Sequence, residues 1–290
     1  MSRTRPPLLP YAVLALGLAG IALSAIFVKW ANLPGAVSGF YRMAIAAGVM
    51  GIPFGLHVRR RPPASARHVL YAIVAGLFFA CDLATWNTAI LIGNAANATL
   101  FGNTSPLWVG IGAMLLFKER LRPLFWGGVL IALAGAAVIL GRDFLVHPTL
   151  GRADMLGLLA GFFYGMFFLA TERARDALSA LSSWWISVAT SSIALLAVSL
   201  LLREPLTGYS TGAYLNLIAL ALIVQVFGWL SINYALGHLP ASVVSPTLLG
   251  QPVITAIAAV PLLGQPLSGA QITGGLIVLA GIFVVHRSKQ

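Results

Sequence analysis

The sequence predicts an all-α integral membrane protein of ten transmembrane helices, arranged as two inverted five-helix repeats with both termini in the cytoplasm. Three observations predict it. The chain of 290 residues is 59% hydrophobic and only 9% charged, whereas a soluble domain carries about 25% charged residues. Its loop arginines and lysines are unevenly distributed. Finally, the stretch from Ala95 to Leu140 recurs from Ala241 to His286. With Pro106 laid on Pro252 there is no gap, and about twelve of the thirty-three pairs up to Val138 and Val284 are identical. Duplication inside an apolar chain is how many secondary transporters are built.

A helix needs about 20 apolar residues to cross the hydrocarbon core. Span 1 is read at 9–31, with Lys29 at its outer end. Arg3 and Arg5 precede it and Leu23-Ser24-Ala25 mimics a cleavage site. It is nevertheless read as a span, since removing it leaves nine and breaks the symmetry. Span 2, at 35–57, follows Pro34 and carries Arg42. Span 3, at 68–92, carries the single cysteine, Cys81, then Asp82, Trp86 and Asn87. Span 4, at 95–116, carries Asn103, Thr104 and Ser105 just before Pro106. Span 5, at 123–141, has Gly128 and Gly135 on one face.

The second half begins with span 6, at 153–173, which holds Tyr164 and ends on Glu172, read as an interface charge. Span 7, at 182–202, opens on Trp184 and Trp185, read as belt residues at the membrane interface. Span 8, at 211–235, carries Gln225, Trp229 and Asn233. Span 9, at 240–263, carries Pro246, then Gln251 before Pro252. Span 10, at 269–286, repeats the glycine face as Gly274 and Gly281. Small faces allow close packing; they are read as scaffold, with homodimer contact the alternative to a monomer. The repeat boundary falls between 1–145 and 146–290.

With the N-terminus inside, thirteen basic residues of loops and termini lie on the cytoplasmic side. Only Lys29, Arg142, Arg152 and Arg203 lie outside. This distribution also accounts for the net charge of +11 without a nucleic-acid partner. One cysteine gives no disulfide and no thiol metal cluster, and no cofactor is expected.

Charge at membrane depth needs a reason. Arg42 sits about 10 Å into span 2 and Asp82 about 15 Å into span 3, counting from the outer side. Opposite charges at similar depth suggest a pair. It reads either as an outer gate or substrate-carboxylate anchor, or as a structural salt bridge. Paired with Arg42, Asp82 would stay ionised and carry protons poorly, so the sequence leans towards facilitated export. Asn103, Ser105, Tyr164, Gln225 and Gln251 fall near the midplane. Ser105 and Gln251 occupy matched repeat positions. Buried amides need partners, either helices or substrate. Pro106 and Pro252 each remove a helical hydrogen bond, freeing the carbonyls of Gly102 and Leu248 and giving either a flexing point or a static kink. Trp86, Asn87 and Trp229 read as walls of an outer vestibule, or as plain core.

Other residues carry a family resemblance. The first half opens with Ser24, Phe27, Val28 and Lys29, then Pro34, Phe40 and Arg42. It closes with the Pro106 helix, Phe117-Lys118-Glu119-Arg120-Leu121 and a Gly-rich helix. The second half closes with Pro252, Leu263-Gly264-Gln265-Pro266-Leu267 and Gly274 to Gly281. Over almost its whole length the chain resembles the EamA-type branch of the drug/metabolite transporter superfamily, and within it the YddG amino-acid exporters. Gln265 stands where the family usually has Glu. The resemblance implies export of aromatic and other neutral amino acids across a bacterial inner membrane, with some tolerance for xenobiotics. The rivals are an exporter of xenobiotics or other small organic metabolites, or a channel. An enzyme is disfavoured, because all five histidines lie at span ends or in loops and no nucleophilic set shares a depth.

Overall fold

Long apolar runs leave a backbone in lipid one economical way to satisfy its own N–H and C=O groups, the α-helix. A computed structural model describes residues 8–60, 64–92, 95–140, 151–263 and 267–288, and among these there is helix and no strand. The helices are α1 (Leu8–Ala22), α2 (Ser24–Ala31), α3 (Gly35–Arg59), α4 (Ala66–Ile92), α5 (Ala95–Gly102), α6 (Ser105–Phe117), α7 (Pro123–Leu140), α8 (Arg152–Arg175), α9 (Ala180–Leu201) and α10 (Thr211–Ala219). A π-helical stretch, Leu220–Trp229, joins α10 to α11 (Leu230–Leu236). Then come α12 (Ala241–Thr247), a 3-10 turn (Leu248–Gly250), α13 (Gln251–Leu263) and α14 (Gly269–Ser288). Among the described residues nine helical segments are long and apolar enough to cross a membrane, and Pro123–Ile139 is a shorter apolar helix. The side chain of Lys29, Arg142 and the repeat boundary at 145 lie outside what is described.

The outer faces are apolar. Ile52, Ile193 and Leu115 are three-quarters exposed or nearly so, a surface suited to lipid.

The duplicated sequence folds alike. In the register that lays Pro106 on Pro252, α6 falls residue for residue on α13. The starts of α5 and α7 fall on those of α12 and α14. α7 and α14 pack against each other in antiparallel fashion through their glycines. A Cβ on Gly135 would lie 2.7 Å from the Gly274 carbonyl oxygen, and one on Gly274 2.8 Å from that of Gly135. Only glycine allows backbones this close. The packing of α4 on α8 recurs, with the halves exchanged, as that of the π stretch and α11 on α1. The packing of α5 and α6 on α8 recurs as that of α13 on α1.

Two sequence expectations change. Trp184 is not an interface residue: it is fully buried, and its Nε1–H donates to the Gln225 carbonyl at 2.7 Å. Trp185 stacks on Phe54 at 4.0 Å and donates to the Ala47 carbonyl at 3.0 Å. Both indoles bind helices together because their N–H reaches a carbonyl on a neighbouring helix. The prolines do not kink continuous helices either. Span 4 ends at Gly102 and restarts at Ser105, so Pro106 sits in the first turn of α6, where its missing N–H costs little. In span 9 the Leu248 carbonyl is not freed, since the Gln251 N–H donates to it within the 3-10 turn. Span 1 breaks as well, at Leu23 between α1 and α2.

Candidate functional site

The helix breaks converge on one cavity. The end of α1 and start of α2 supply Ile21 and Ser24, and the α5–α6 break supplies Thr99, Gly102 and Asn103. The first residue of α13 supplies Gln251, and the π stretch supplies Val224 and Trp229. α4 presents Phe79, Asp82, Leu83 and Trp86, a spacing that puts all four on one helix face. Arg42 of α3 and Tyr164 of α8 complete the wall. The cavity's own volume is about 80 Å³. That is below the about 300–1,000 Å³ of open small-molecule sites, so a substrate of amino-acid size would need the cavity to widen.

One wall is aromatic. Phe79 meets Trp229 edge-on at 4.9 Å, and Tyr164 meets it edge-on at 5.8 Å. Behind them Phe167 and Trp184 pack on Trp229 at 5.3 and 5.5 Å. The indole that faces the cavity is therefore held from several sides. The broken end of α1 is tied to α13: the Ala22 carbonyl accepts from Thr255 Oγ1 at 2.7 Å, and the Ile21 carbonyl from Gln251 Nε2 at a long 3.4 Å. The weak Gln251 bond leaves its amide poised at the cavity edge.

Arg42 and Asp82 both line the cavity and both are buried, at 3% and 9% exposure. They do not form the ion pair that their depth suggested, because no nitrogen–oxygen approach between them falls within 4.0 Å. Arg42 Nε is buried with no hydrogen-bond partner. Asn103 Nδ2, in the same wall, is also unpartnered.

Arg42, Asp82, Trp86, Asn103, Tyr164, Trp229 and Gln251 thus come together from the sequence-predicted set. The others do not reach the cavity. Asn87 is buried and spends its amide on the Gly35 carbonyl at 2.7 Å, fastening the start of α3 to α4. Ser105 approaches Ser245 Oγ at 3.5 Å. Gln225 is fully buried one residue from the cavity-lining Val224, and both atoms of its amide are unpartnered. Pro106 and Pro252 are buried and are not among the lining residues. Sequence reasoning missed Phe79, although its spacing of three residues from Asp82 and seven from Trp86 was a usable signal. It also read Glu172 as a bare interface charge; its carboxylate accepts from the Ala241 N–H at 2.9 Å, tying the end of α8 to the start of α12. Glu119 accepts from Ser242 Oγ beside it, also at 2.9 Å.

Comparisons with known proteins place this architecture. The model of the EamA-like transporter family matches the chain in two successive stretches, residues 9–141 and 151–287. A Salmonella typhimurium protein named "Probable amino-acid metabolite efflux pump" is 27% identical over 187 residues, 61% of this chain and 62% of that one. The chain therefore spans about three fifths of the length of that relative. A Streptantibioticus cattleyicolor protein named "Probable terminal-alkyne amino-acid exporter" is 24% identical over 278 residues, 93% of this chain and 84% of its own. A solved structure described as "Crystal structure of protein" superposes over the whole of both chains with a TM-score of 0.75 at 19% identity, a likeness of fold alone.

Proposed function

Because the chain belongs to the EamA-like transporter family, we propose that it exports small metabolites, chiefly aromatic and other neutral amino acids, by alternating access around the cavity just described. The observation that carries this reading is the meeting of one positive charge, one negative charge, an aromatic wall and polar groups in a single cavity at the helix breaks. Discontinuous helices lining a central site are a recurrent device of secondary transporters. The names of the Salmonella and Streptantibioticus relatives support the substrate class.

The proposed frame is ten spans in two inverted repeats, with both termini in the cytoplasm of a bacterial inner membrane and Pro123–Leu140 as the fifth span. The two family-matched stretches support the duplication. The antiparallel glycine contact of α7 with α14 supports the inversion, since repeats inverted about an axis in the membrane plane bring equivalent helices together head to tail. Loop charge supports the orientation. Lipid and a small-molecule substrate are then the partners, and the family argues for transport rather than catalysis.

Purified protein in liposomes, screened with labelled amino acids with and without a pH gradient, tests the proposal. Saturable uptake of aromatic amino acids, accelerated by substrate preloaded on the far side, is expected. Flux linear in concentration and indifferent to preloading would mean a channel. No flux of any amino acid, with flux of apolar drugs instead, would move the substrate class to xenobiotics.

A further inference from the structure

We infer that Arg42 and Asp82 act as separate anchors for the two ends of a free α-amino acid, with the Arg42 guanidinium taking the carboxylate and the Asp82 carboxylate taking the ammonium group. The inference rests on the transporter reading above and names what its cavity selects: zwitterions whose two charged groups are both free.

The argument starts from what the protein leaves unanswered. A buried guanidinium offers five N–H donors and a buried carboxylate accepts only. Arg42 is 3% exposed, and its Nε is buried with no hydrogen-bond partner. Among the described residues no side chain hydrogen-bonds the Asp82 carboxylate, while its backbone carbonyl accepts from Thr85 Oγ1 at 3.1 Å. Burying charges in this condition is strongly unfavourable, and the usual remedy is to bring them into contact. Here they stay more than 4.0 Å apart, and both open into one cavity.

Among the described residues no other ionised side chain lines that cavity. The charge of these lining residues sums to zero while remaining separated. A simple cation would satisfy Asp82 and meet Arg42 as a like charge, and a simple anion would do the reverse. A zwitterion satisfies both and needs no counter-ion. The aromatic wall of Phe79, Trp86 and Trp229 is left for an apolar or aromatic side chain. Separation of the two charges thus becomes a selectivity device, where a closed ion pair would have been only a strut.

The test uses three probes that share a ring and differ at the ends: L-phenylalanine, the cationic L-phenylalaninamide at pH 6, and 3-phenylpropionate. Binding to the detergent-solubilised protein is measured by calorimetry, and counterflow in liposomes is measured separately. Losing a charge-assisted hydrogen-bonded end should weaken binding roughly ten- to hundred-fold, so both analogues should lag phenylalanine by that factor. In Arg42→Gln the gap between phenylalanine and its amide should close. In Asp82→Asn the gap between phenylalanine and phenylpropionate should close. Equal affinity of wild-type protein for all three probes overturns the proposal without any variant. So does an Asp82→Asn variant that keeps both gaps while losing only its response to a pH gradient, which would make Asp82 a proton carrier. Binding with the predicted gaps but no flux defeats the transport reading and leaves the anchors standing. Flux without the gaps does the opposite.

Discussion

Gln225 is the residue at which the sequence argument and the structure part most clearly. Its amide was expected to face substrate, yet it is fully buried with neither atom partnered. An unmade hydrogen bond inside a protein is a liability, and an apolar residue of similar shape removes it. Gln225→Leu should therefore leave thermal stability in detergent unchanged or higher; a clear fall in Tm would show that the amide is answered during the transport cycle. Asn103 and Gln251 do reach the cavity. Alanine at either should weaken substrate by about two- to twelve-fold, the worth of one neutral hydrogen bond, with the protein still monodisperse. Unchanged half-saturation for every amino acid tested at both positions would remove the amides from the site. Asn87→Ala should act otherwise, costing about 1–3 kcal/mol of stability through the stranded Gly35 carbonyl. Depth along a helix was legible from the sequence, which put Asn103 and Gln251 near the midplane and Arg42 and Asp82 towards the outer side; the structure joins the four in one cavity. Azimuth was not: Gln225 and Val224 are adjacent in sequence, but only the π-helical winding decides which of them faces the cavity.

At the scale of elements the same distinction holds. Spans could be read from hydropathy because lipid enforces helices, and nine of the ten expected are long and apolar enough among the described residues, the fifth being shorter. The breaks were harder to see, because a proline in an apolar run reads equally as a kink or as the first turn of a new helix. Thr104 Oγ1 bonding back to the Phe101 carbonyl at 2.6 Å and Pro106 in the first turn of α6 settle it for span 4. Pro106→Ala should then be mild, with flux and Tm near wild type. A collapse of flux at normal stability would make Pro106 a hinge after all. The glycines sort differently. A Cβ on Gly135 would meet the backbone of α14, whereas one on the neighbouring-helix-free Gly127 would meet nothing within 4 Å. Gly135→Val should destabilise by about 1–3 kcal/mol, as overpacking does, and Gly127→Val should not. Equal melting temperatures for the two would mean that α7 and α14 can slide apart.

For the whole molecule, orientation is the claim that loop charge makes and geometry alone leaves open. In a Cys81→Ala background, Ser65→Cys should react with an impermeant thiol reagent only from the cytoplasmic side and Thr207→Cys only from the other, both positions being exposed. Labelling of both from one side would undo the inverted arrangement. The glycine seam carries a further consequence. Gly135 meets the Gly274 carbonyl while Gly274 meets that of Gly135, and Gly128 meets Gly281. Residue i touches j and the counterpart of j touches the counterpart of i, which is the signature of an isologous two-fold interface between separate subunits. Under the proposed inverted arrangement the two stretches correspond to such subunits joined in one polypeptide, and the packed glycine seam rather than the linker is then what holds them together. Two fragments, cut between the family-matched stretches and co-expressed, should find each other through this surface and restore transport. A Gly135→Val first fragment should fail to do so.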